Sequence, residues 1–407
     1  MGMDIRLLFA TRIVRLFAYG LLSVILVLYL AALGLSTSKI GALITLTLLG
    51  DTLISLWLTI VADRMGRRNM LLVGAGLMLF AGVLFALSHS FIVLVIAATL
   101  GVISPSGNEI GPFLSIEQAA LSEAVPFARR THVFAWYNLV GSFATALGAL
   151  VGGGIAQLLQ SAGHTPIESY RVLVETYAGF GVLLAILFTR LSAAVEASTT
   201  ARPLNSEVHI RFGLHRSQGV VARLSALLAL DAFGGGFVIQ SLMAYWFHVR
   251  FGTEPALLGG IFFGANIFAG VSALLAARVA ARIGLINTMV FTHLPSNILL
   301  ILVPLMPNQH LAILMLLLRF SISQMDVPTR QSYVMAVVDP DERSAAAGVT
   351  SVVRSLGAAA SPALAGFFLG SAALASIPFF LSGGLKIVYD LLLYRSFRAA
   401  NIPEDSR

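Results

Sequence analysis

The 407-residue sequence contains no cysteine and few charged residues. Without cysteine, the chain has no disulfide, no thiolate metal ligand and no cysteine nucleophile. Charged residues make up only 11% of the chain, whereas hydrophobic residues make up 57% and the mean hydropathy is +0.89. This composition excludes a soluble globular domain and indicates a polytopic membrane protein. The sequence also lacks a phosphate-binding loop, a metal-ligand cluster and a catalytic dyad, so neither an enzyme nor a bound cofactor is expected.

Twelve stretches are long and apolar enough to cross a bilayer, which takes roughly 20 residues in a helix. We number them spans 1 to 12, at residues 7–33, 40–62, 70–87, 91–121, 132–159, 172–191, 220–247, 256–277, 286–306, 311–338, 344–369 and 377–397. The sequence therefore predicts an all-α membrane protein with twelve transmembrane helices.

Basic residues predict the orientation of these spans, because short loops rich in lysine and arginine stay in the cytoplasm. With the N-terminus inside, inside segments hold nineteen of the 26 basic residues, Arg12 among them, and outside loops hold three. The remaining four lie within spans and are Arg319, Arg330, Arg354 and Lys386. Both termini are therefore expected in the cytoplasm, and the high pI indicates topology, not nucleic-acid binding.

One long polar break, residues 192–218, is predicted to be a central cytoplasmic linker. It divides the chain into two six-span halves, residues 1–191 and 219–407. Three identities recur between the halves at a fixed offset of 213, namely Gln118 and Gln331, Arg130 and Arg343, and Gly153 and Gly366. Since each pair falls at the same topological place, we expect two pseudo-symmetric bundles.

A compact charged loop, Val61-Ala62-Asp63-Arg64-Met65-Gly66-Arg67-Arg68-Asn69-Met70, follows span 2. From Asp63 to Arg68 it resembles the loop between helices 2 and 3 of the major facilitator superfamily, although the glycine that opens the family's pattern is Thr59 here. The resemblance implies twelve helices in two parallel halves, with a substrate site between them near mid-membrane.

The same resemblance implies a conformational latch formed by this loop. Its residues would be Asp63, Arg64, Gly66, Arg67, Arg68 and the acid Glu123. In relatives the aspartate faces the N-terminus of helix 11, here near Ser344, where the helix dipole favours an anion. Arg67 would reach Glu123 at the cytoplasmic end of span 4.

Span 5 resembles the glycine-rich fifth helix of drug:proton antiporters in the same superfamily. Its glycines are Gly141, Gly148, Gly152, Gly153 and Gly154, but the Gly-Pro pair of that motif is Gly148-Ala149 here. The arginine that those antiporters carry in helix 4 is also missing, so their scheme of proton coupling does not transfer directly.

Charged side chains within spans are candidate substrate contacts, because each costs several kcal/mol in hydrocarbon. In span 10, Arg319, Asp326 and Arg330 lie within roughly 20° of one helical face, and the last two have the spacing of a helical ion pair. A purely structural pair is the alternative. The predicted substrate-cavity residues are Arg319, Asp326, Arg330, Glu117, Asn108, Arg354 and Asn138. Glu117 occupies the repeat position of Arg330, which predicts a gate between them.

Three acids are candidate proton-coupling residues, namely Glu109, Asp51 and Asp231. Glu109 is preferred because it lies near mid-membrane, just before Pro112, which is expected to kink span 4. Permanent pairing of Glu109 with an arginine is the alternative, and Asp51 would equally suit a helix contact. Asp231 precedes the run 234–236 of three glycines, a candidate hinge.

His293 in span 9 has no spaced partner in the sequence, and we interpret it as a structural residue.

Together these features predict a secondary transporter that moves a small organic solute by alternating access. Proton-coupled efflux of an amphiphilic or cationic compound is favoured, because Asp51, Glu109, Glu117 and Asp231 would give the cavity a surplus of acids. The alternatives are an organic-anion or zwitterion transporter that uses the span arginines, a lipid translocator, and a sensor without turnover. The expected partners are the solute, protons and the bilayer of the inner or plasma membrane, without nucleic acid, and the protein is expected to be a monomer.

Overall fold

The computed structural model describes residues 2–108, 111, 113–196, 214–339 and 341–397, and this part of the chain is helical without strands. The α-helices are α1 Met3–Ala32, α2 Thr37–Met65, α3 Arg67–Leu87, α4 Phe91–Leu100, α5 Phe113–Ala124, α6 Phe127–Ser161, α7 Pro166–Thr189, α8 Gln218–Gly236, α9 Gln240–Phe251, α10 Pro255–Ile283, α11 Leu285–Leu302, α12 Gln309–Ser323, α13 Asp326–Val337, α14 Arg343–Ala360, α15 Pro362–Leu369 and α16 Ile377–Phe397. Eleven helical stretches of the described residues are long and apolar enough to cross a membrane, and α4 is a shorter apolar helix. The predicted all-α membrane fold is confirmed.

Four of the predicted spans are interrupted, which corrects the expectation of continuous helices there. Spans 4, 7, 10 and 11 each consist of two helices, α4 and α5, α8 and α9, α12 and α13, and α14 and α15. In span 10 the cause is Pro328, whose ring would clash in a continuous helix with the carbonyl four residues earlier, that of Gln324, the residue directly after the end of α12. Span 4 is not helical at residues 101–108 and 111, where Gly107 and Gly111 have positive φ angles of 71° and 80°.

The chain divides into two compact units. The first contains α1 to α7, α9 and the start of α10, up to Ile267, and the second contains α8, the rest of α10 and α11 to α16. The boundary in span 7 lies at residues 238 and 239, directly after the glycine run. The two halves divided at 192–218 stay a prediction.

Helix α1 is the core of the first unit, since nearly all its residues from Leu16 to Leu30 are buried. It packs closely against α6 through glycines. A Cβ added at Gly20 would lie 2.0 Å from the carbonyl oxygen of Thr145, and one added at Gly148 would lie 2.0 Å from that of Phe17. Small residues allow such close approach of membrane helices.

In the second unit, α8 packs in the same way against α14. A Cβ at Gly357 would lie 2.6 Å from the carbonyl oxygen of Ala229, and one at Gly236 would lie 2.3 Å from that of Ala358. The two helix pairs, α1 with α6 and α8 with α14, are spans 1 and 5 and spans 7 and 11, which correspond in the predicted repeat. The ends of α5, Phe113 and Ala124, and of α13, Asp326 and Val337, also differ by the repeat offset of 213.

The buried carboxylate of Glu342 accepts backbone N–H groups just before α8 begins. The donors are His215, Arg216 at 2.8 Å and Ser217 at 2.8 Å. Burial alone would raise the pKa of Glu342, but these hydrogen bonds outweigh it and lower the pKa to about 2. The loop before α14 is thereby tied to the start of α8.

Candidate functional site

The first unit holds a fully buried ion pair between α1 and α5. Arg15 donates from Nη1 and Nη2 to the two carboxylate oxygens of Glu117, at 2.9 and 2.8 Å, and neither side chain is exposed. Thr11 Oγ1 donates to the same carboxylate at 2.8 Å, and the Tyr137 hydroxyl is a further donor. Glu117 is therefore saturated with hydrogen bonds inside its own unit, as a buried charge requires.

The positions of Arg12 and Arg15 correct the sequence interpretation. The count of cytoplasmic arginines included Arg12, but it lies within α1 and is 5% exposed. Its guanidinium stacks 4.1 Å from the ring centroid of Tyr137 and donates to Asn138 Oδ1 at 3.2 Å. Asn138, a predicted cavity residue, is exposed. Both arginines lie inside the predicted limits of span 1, and that position was the signal that they are membrane-embedded.

Asp51 forms a hydrogen bond to the non-helical segment of span 4. Its Oδ1 accepts the backbone N–H of Gly111 at 2.7 Å and the hydroxyl of Ser55 at 3.3 Å. Asn108 in the same segment is exposed, and its carbonyl accepts the Ser104 hydroxyl at 2.8 Å. The preferred proton-coupling residue, Glu109, lies outside the described residues.

The charged loop after span 2 is anchored within the first unit. Gly66, with φ of 95°, separates α2 from α3. Arg67 donates to Glu123 at 2.9 Å, the contact that the family resemblance implied. The carboxylate of Glu196 also accepts the backbone N–H groups of Arg67 and Arg68, at 2.6 and 3.3 Å, a favourable position for an anion at the start of α3.

The structure describes the side chain of Arg64 in the predicted latch, but not the proposed contact of Asp63 with the N-terminus of span 11. Arg64 is exposed, whereas the side chains of Asp63 and Ser344 lie outside the described residues. Their proposed contact stays a prediction.

In the second unit, buried charges from α8, α13 and α16 meet. Asp231 accepts from Lys386 Nζ at 2.6 Å and lies 3.5 Å from Arg330 Nη1. Arg330 in turn donates to Asp326 at 2.7 Å, which confirms the predicted i,i+4 pair. Lys386 was recognised in the sequence only as a charge inside a span, and the structure identifies it as the partner of Asp231.

A second buried pair joins α11 to α16 and corrects the interpretation of His293 as a lone histidine. Its Nδ1 lies 2.8 Å from Asp390 Oδ1, and Asn297 donates to Asp390 Oδ2 at 3.0 Å. His293 Nε2 faces Asp231 Oδ1 at 3.8 Å. Sequence reasoning missed Asp390, although its spacing of four residues from Lys386 marks one polar face of α16.

Two arginines of this unit have no hydrogen-bond or ion-pair partner among the described residues. Arg319 on α12 is 8% exposed, and Arg354 on α14 is partly buried. The Nε atom of each is buried without a partner. Both lie within electrostatic range of Asp231 and Asp326, so both belong to the cluster.

The charges of this cluster do not balance. Three aspartates, Asp231, Asp326 and Asp390, face the four cations Arg319, Arg330, Arg354 and Lys386. With His293 neutral, one positive charge is in excess. The two cations that have no carboxylate partner among the described residues, Arg319 and Arg354, are both guanidinium groups, which bind carboxylates and phosphates through two parallel hydrogen bonds.

The two units contain related ion pairs of opposite sign. In the first, the cation Arg15 is on span 1 and the anion Glu117 on span 4; in the second, the anion Asp231 is on span 7 and the cation Arg330 on span 10. Glu117 and Arg330 each have a partner within their own unit, and the gate between them stays a prediction.

A cavity of about 490 Å³ lies between α1 and α6 of the first unit. Its walls are mainly apolar, and it contains none of the predicted cavity residues; the lining residues are Arg6, Phe9, Ala10, Ile13, His132, Val133 and Trp136. The charged side chains described above lie outside this cavity, apart from Arg6 among its lining residues.

Comparison with known proteins gives consistent matches. The family model described as Major Facilitator Superfamily matches residues 8–362. An uncharacterized membrane protein of Saccharomyces cerevisiae is 32% identical over 417 residues, which cover 96% of this chain and 93% of that protein. Quinolone resistance protein NorA of Staphylococcus aureus is 24% identical over 251 residues, 60% of each chain.

Among solved structures, the chain is similar to the xylose transporter XylE of E. coli. The TM-score is 0.72 at 15% sequence identity, and the match covers 96% of this chain and 95% of that one. At this identity the likeness concerns the fold alone.

Proposed function

Since the chain belongs to the major facilitator superfamily and is a multi-pass membrane transporter, we propose that it moves a small organic anion or zwitterion by alternating access. The observation that carries this proposal is the pair Arg319 and Arg354, two guanidinium groups that have no hydrogen-bond or ion-pair partner among the described residues and that belong to a cluster of net positive charge. An unpaired cation within a membrane is costly unless a ligand or water compensates it. A carboxylate, phosphate or sulfonate of the solute is the complementary group.

The cation-export alternative has weaker support from the geometry. Its basis was a surplus of acids, but Glu117 is ion-paired with Arg15 and Asp231 with Lys386. The match to NorA, whose name describes quinolone resistance, is the observation that keeps export of a drug-like solute as the second candidate. Both candidates include proton coupling, with Glu109, Asp51 and Asp231 as proposed coupling residues.

The proposal also covers the surroundings of the transporter. We propose an inner or plasma membrane location, with both termini in the cytoplasm, because the basic residues concentrate in loops on one side of the predicted spans. The loop from Asp63 to Arg68 is proposed as the latch between conformations. The hydrogen bonds of Arg67 to Glu123 and Glu196 support that role.

Transport into proteoliposomes tests the substrate class. Uptake of radiolabelled benzoate, tetraphenylphosphonium and glucose is measured under an imposed pH gradient. We expect flux with benzoate alone. Flux with tetraphenylphosphonium alone would instead support the cation exporter, and flux with glucose alone would contradict both.

Variants then test the arginines. Charge-assisted hydrogen bonds contribute about 1.5–3 kcal/mol, so Arg319→Gln and Arg354→Gln should each weaken benzoate binding by about 10-fold or more. Arg278→Gln, at an exposed arginine of α10, is the matched control and should bind benzoate as the wild type does. Equal binding by all three variants would remove the two arginines from the site.

A further inference from the structure

His293 is the one titratable imidazole within the charged cluster of the second unit, among the residues that the structure describes. It is 5% exposed and lies in the middle of α11. Its two ring nitrogens face two different carboxylates, Asp390 at 2.8 Å from Nδ1 and Asp231 at 3.8 Å from Nε2. This bridging position is unused by the anion site itself.

The two ring nitrogens have different roles. A carboxylate only accepts hydrogen bonds, so the short contact with Asp390 assigns the proton of neutral His293 to Nδ1. The lone pair of Nε2 then points toward the Asp231 carboxylate, an unfavourable arrangement that a proton on Nε2 turns into an attractive one. Nε2 is therefore the atom at which a second proton binds.

Charged and titratable groups reach this imidazole region from every neighbouring element of the unit. They are Asp231 from α8, Arg319 from α12, Asp326 and Arg330 from α13, Arg354 from α14, and Lys386, Tyr389 and Asp390 from α16. The Tyr389 ring packs edge-on against the imidazole, with centroids 6.0 Å apart. Asp231 thus links the imidazole to the two arginines of the proposed anion site.

The geometry points to His293 Nε2 as a proton-binding site whose occupancy controls the anion site through Asp231. This inference rests on the proposed anion transport. When Nε2 is unprotonated, the Asp231 carboxylate is held by Lys386 at 2.6 Å and by Arg330 at 3.5 Å. When Nε2 takes a proton from water, imidazolium competes for Asp231. Lys386, which donates to Asp231, is then free to join Arg319 and Arg354 in binding an anion, while Arg330 keeps its hydrogen bond to Asp326.

Charge bookkeeping gives the direction of the coupling. Protonation raises the excess charge of the cluster from one to two, so the proton and the anion favour each other's binding. Because coupling between two ligands is reciprocal, anion binding must also draw in a proton. One proton and one monovalent anion would then cross together without net charge movement.

A ligand-free measurement tests the proton site. The protein is labelled with ¹³C,¹⁵N-histidine, and the resonance absent from His293→Gln is followed from pH 5 to 9. We expect it to titrate, with a midpoint that moves by about one pH unit or more, a tenfold change, in Asp231→Asn. If His293→Gln does not fold, the resonance displaced in Asp390→Asn gives the assignment. A resonance that does not titrate, or a midpoint unmoved by Asp231→Asn, overturns the inference.

Calorimetry tests the coupling. Benzoate binding in two buffers of different ionisation enthalpy gives the protons taken up per benzoate, expected to approach one in the wild type above the titration midpoint. We expect none in His293→Gln, and wild-type uptake in His310→Gln, a variant at an exposed histidine of the same unit. Proton uptake that survives in His293→Gln overturns the inference. Absence of benzoate binding at every pH instead overturns the proposed function, and the histidine titration then decides the proton site alone.

Discussion

The buried pair of Arg15 and Glu117 gives a quantitative prediction about stability. Arg15→Met removes both guanidinium bonds and leaves the Glu117 carboxylate with the hydroxyls of Thr11 and Tyr137. Removing one partner of a buried pair costs about 3–5 kcal/mol. Glu117→Gln leaves an unpaired guanidinium and should cost a similar amount. The double variant has no buried charge, and its amide can accept a hydrogen bond from one of the two hydroxyls and donate one to the other, so its loss should stay within about 2 kcal/mol.

Thermal unfolding of the detergent-purified protein measures these differences. An unfolding entropy of about 2.1 cal/mol/K per residue gives roughly 1 °C per kcal/mol for a chain of 407 residues, so each single variant should lower the Tm by about 4–6 °C, and the double variant by about 2 °C or less. Arg6→Met, at an exposed arginine of the same helix, is the control and should change stability by less than about 0.5 kcal/mol. If the double variant loses the sum of the two single losses, the side chains are energetically independent and the reasoning is refuted.

Three further outcomes are expected in the same assay. Arg330→Ala should lower the Tm more than Arg330→Ala with Asp326→Ala, because the single variant leaves a buried unpaired carboxylate; additive losses would show independence. Glu342 has a pKa lowered from 4.5 to about 2, so its stabilisation is present above pH 4.5 and is lost as the pH falls toward 2. Glu342→Gln should therefore unfold with a weaker pH dependence over that range, and an unchanged slope would refute the assignment. Gly148→Ala should cost about 1–3 kcal/mol, since its Cβ would lie 2.0 Å from a backbone oxygen of α1. Gly154→Ala is the control, because a Cβ there would have nothing within 4 Å. If both variants lost the same stability, the close packing at Gly148 would be contradicted.

The sign reversal between the two units offers a physical view of the site. The pair in the first unit consists of one cation and one anion, and four hydrogen-bond donors surround its carboxylate, which is typical of a structural element. The cluster in the second unit has an excess cation, and two of its guanidinium groups have no hydrogen-bond or ion-pair partner among the described residues. The place of the ion pair is thus common to both units but its saturation is not, a contrast that agrees with the proposed anion site in the second unit.

Interruptions of the helices show why some local features were predictable and others were not. Pro112 led to an expected kink in span 4; Pro112 itself lies outside the described residues, and the span is not helical at residues 101–108 and 111. The break in span 10 lies at Gln324, a residue that does not itself break helices. It lies there because Pro328 acts on the residue four positions earlier. A prediction from the length of an apolar stretch therefore does not detect such a break.

Sequence alone determined the features that depend on neighbours within a helix. Apolar length located the membrane spans, and the spacing of Asp326 and Arg330 predicted their ion pair, because both follow from the rise and turn of one helix. Tertiary structure decided the pairs that join different helices, such as Arg15 with Glu117 and His293 with Asp390. The partners of the first pair are 102 residues apart in the chain and those of the second 97. Helix packing brings them together, and the periodicity of a single helix carries no information about which face of another helix it will meet.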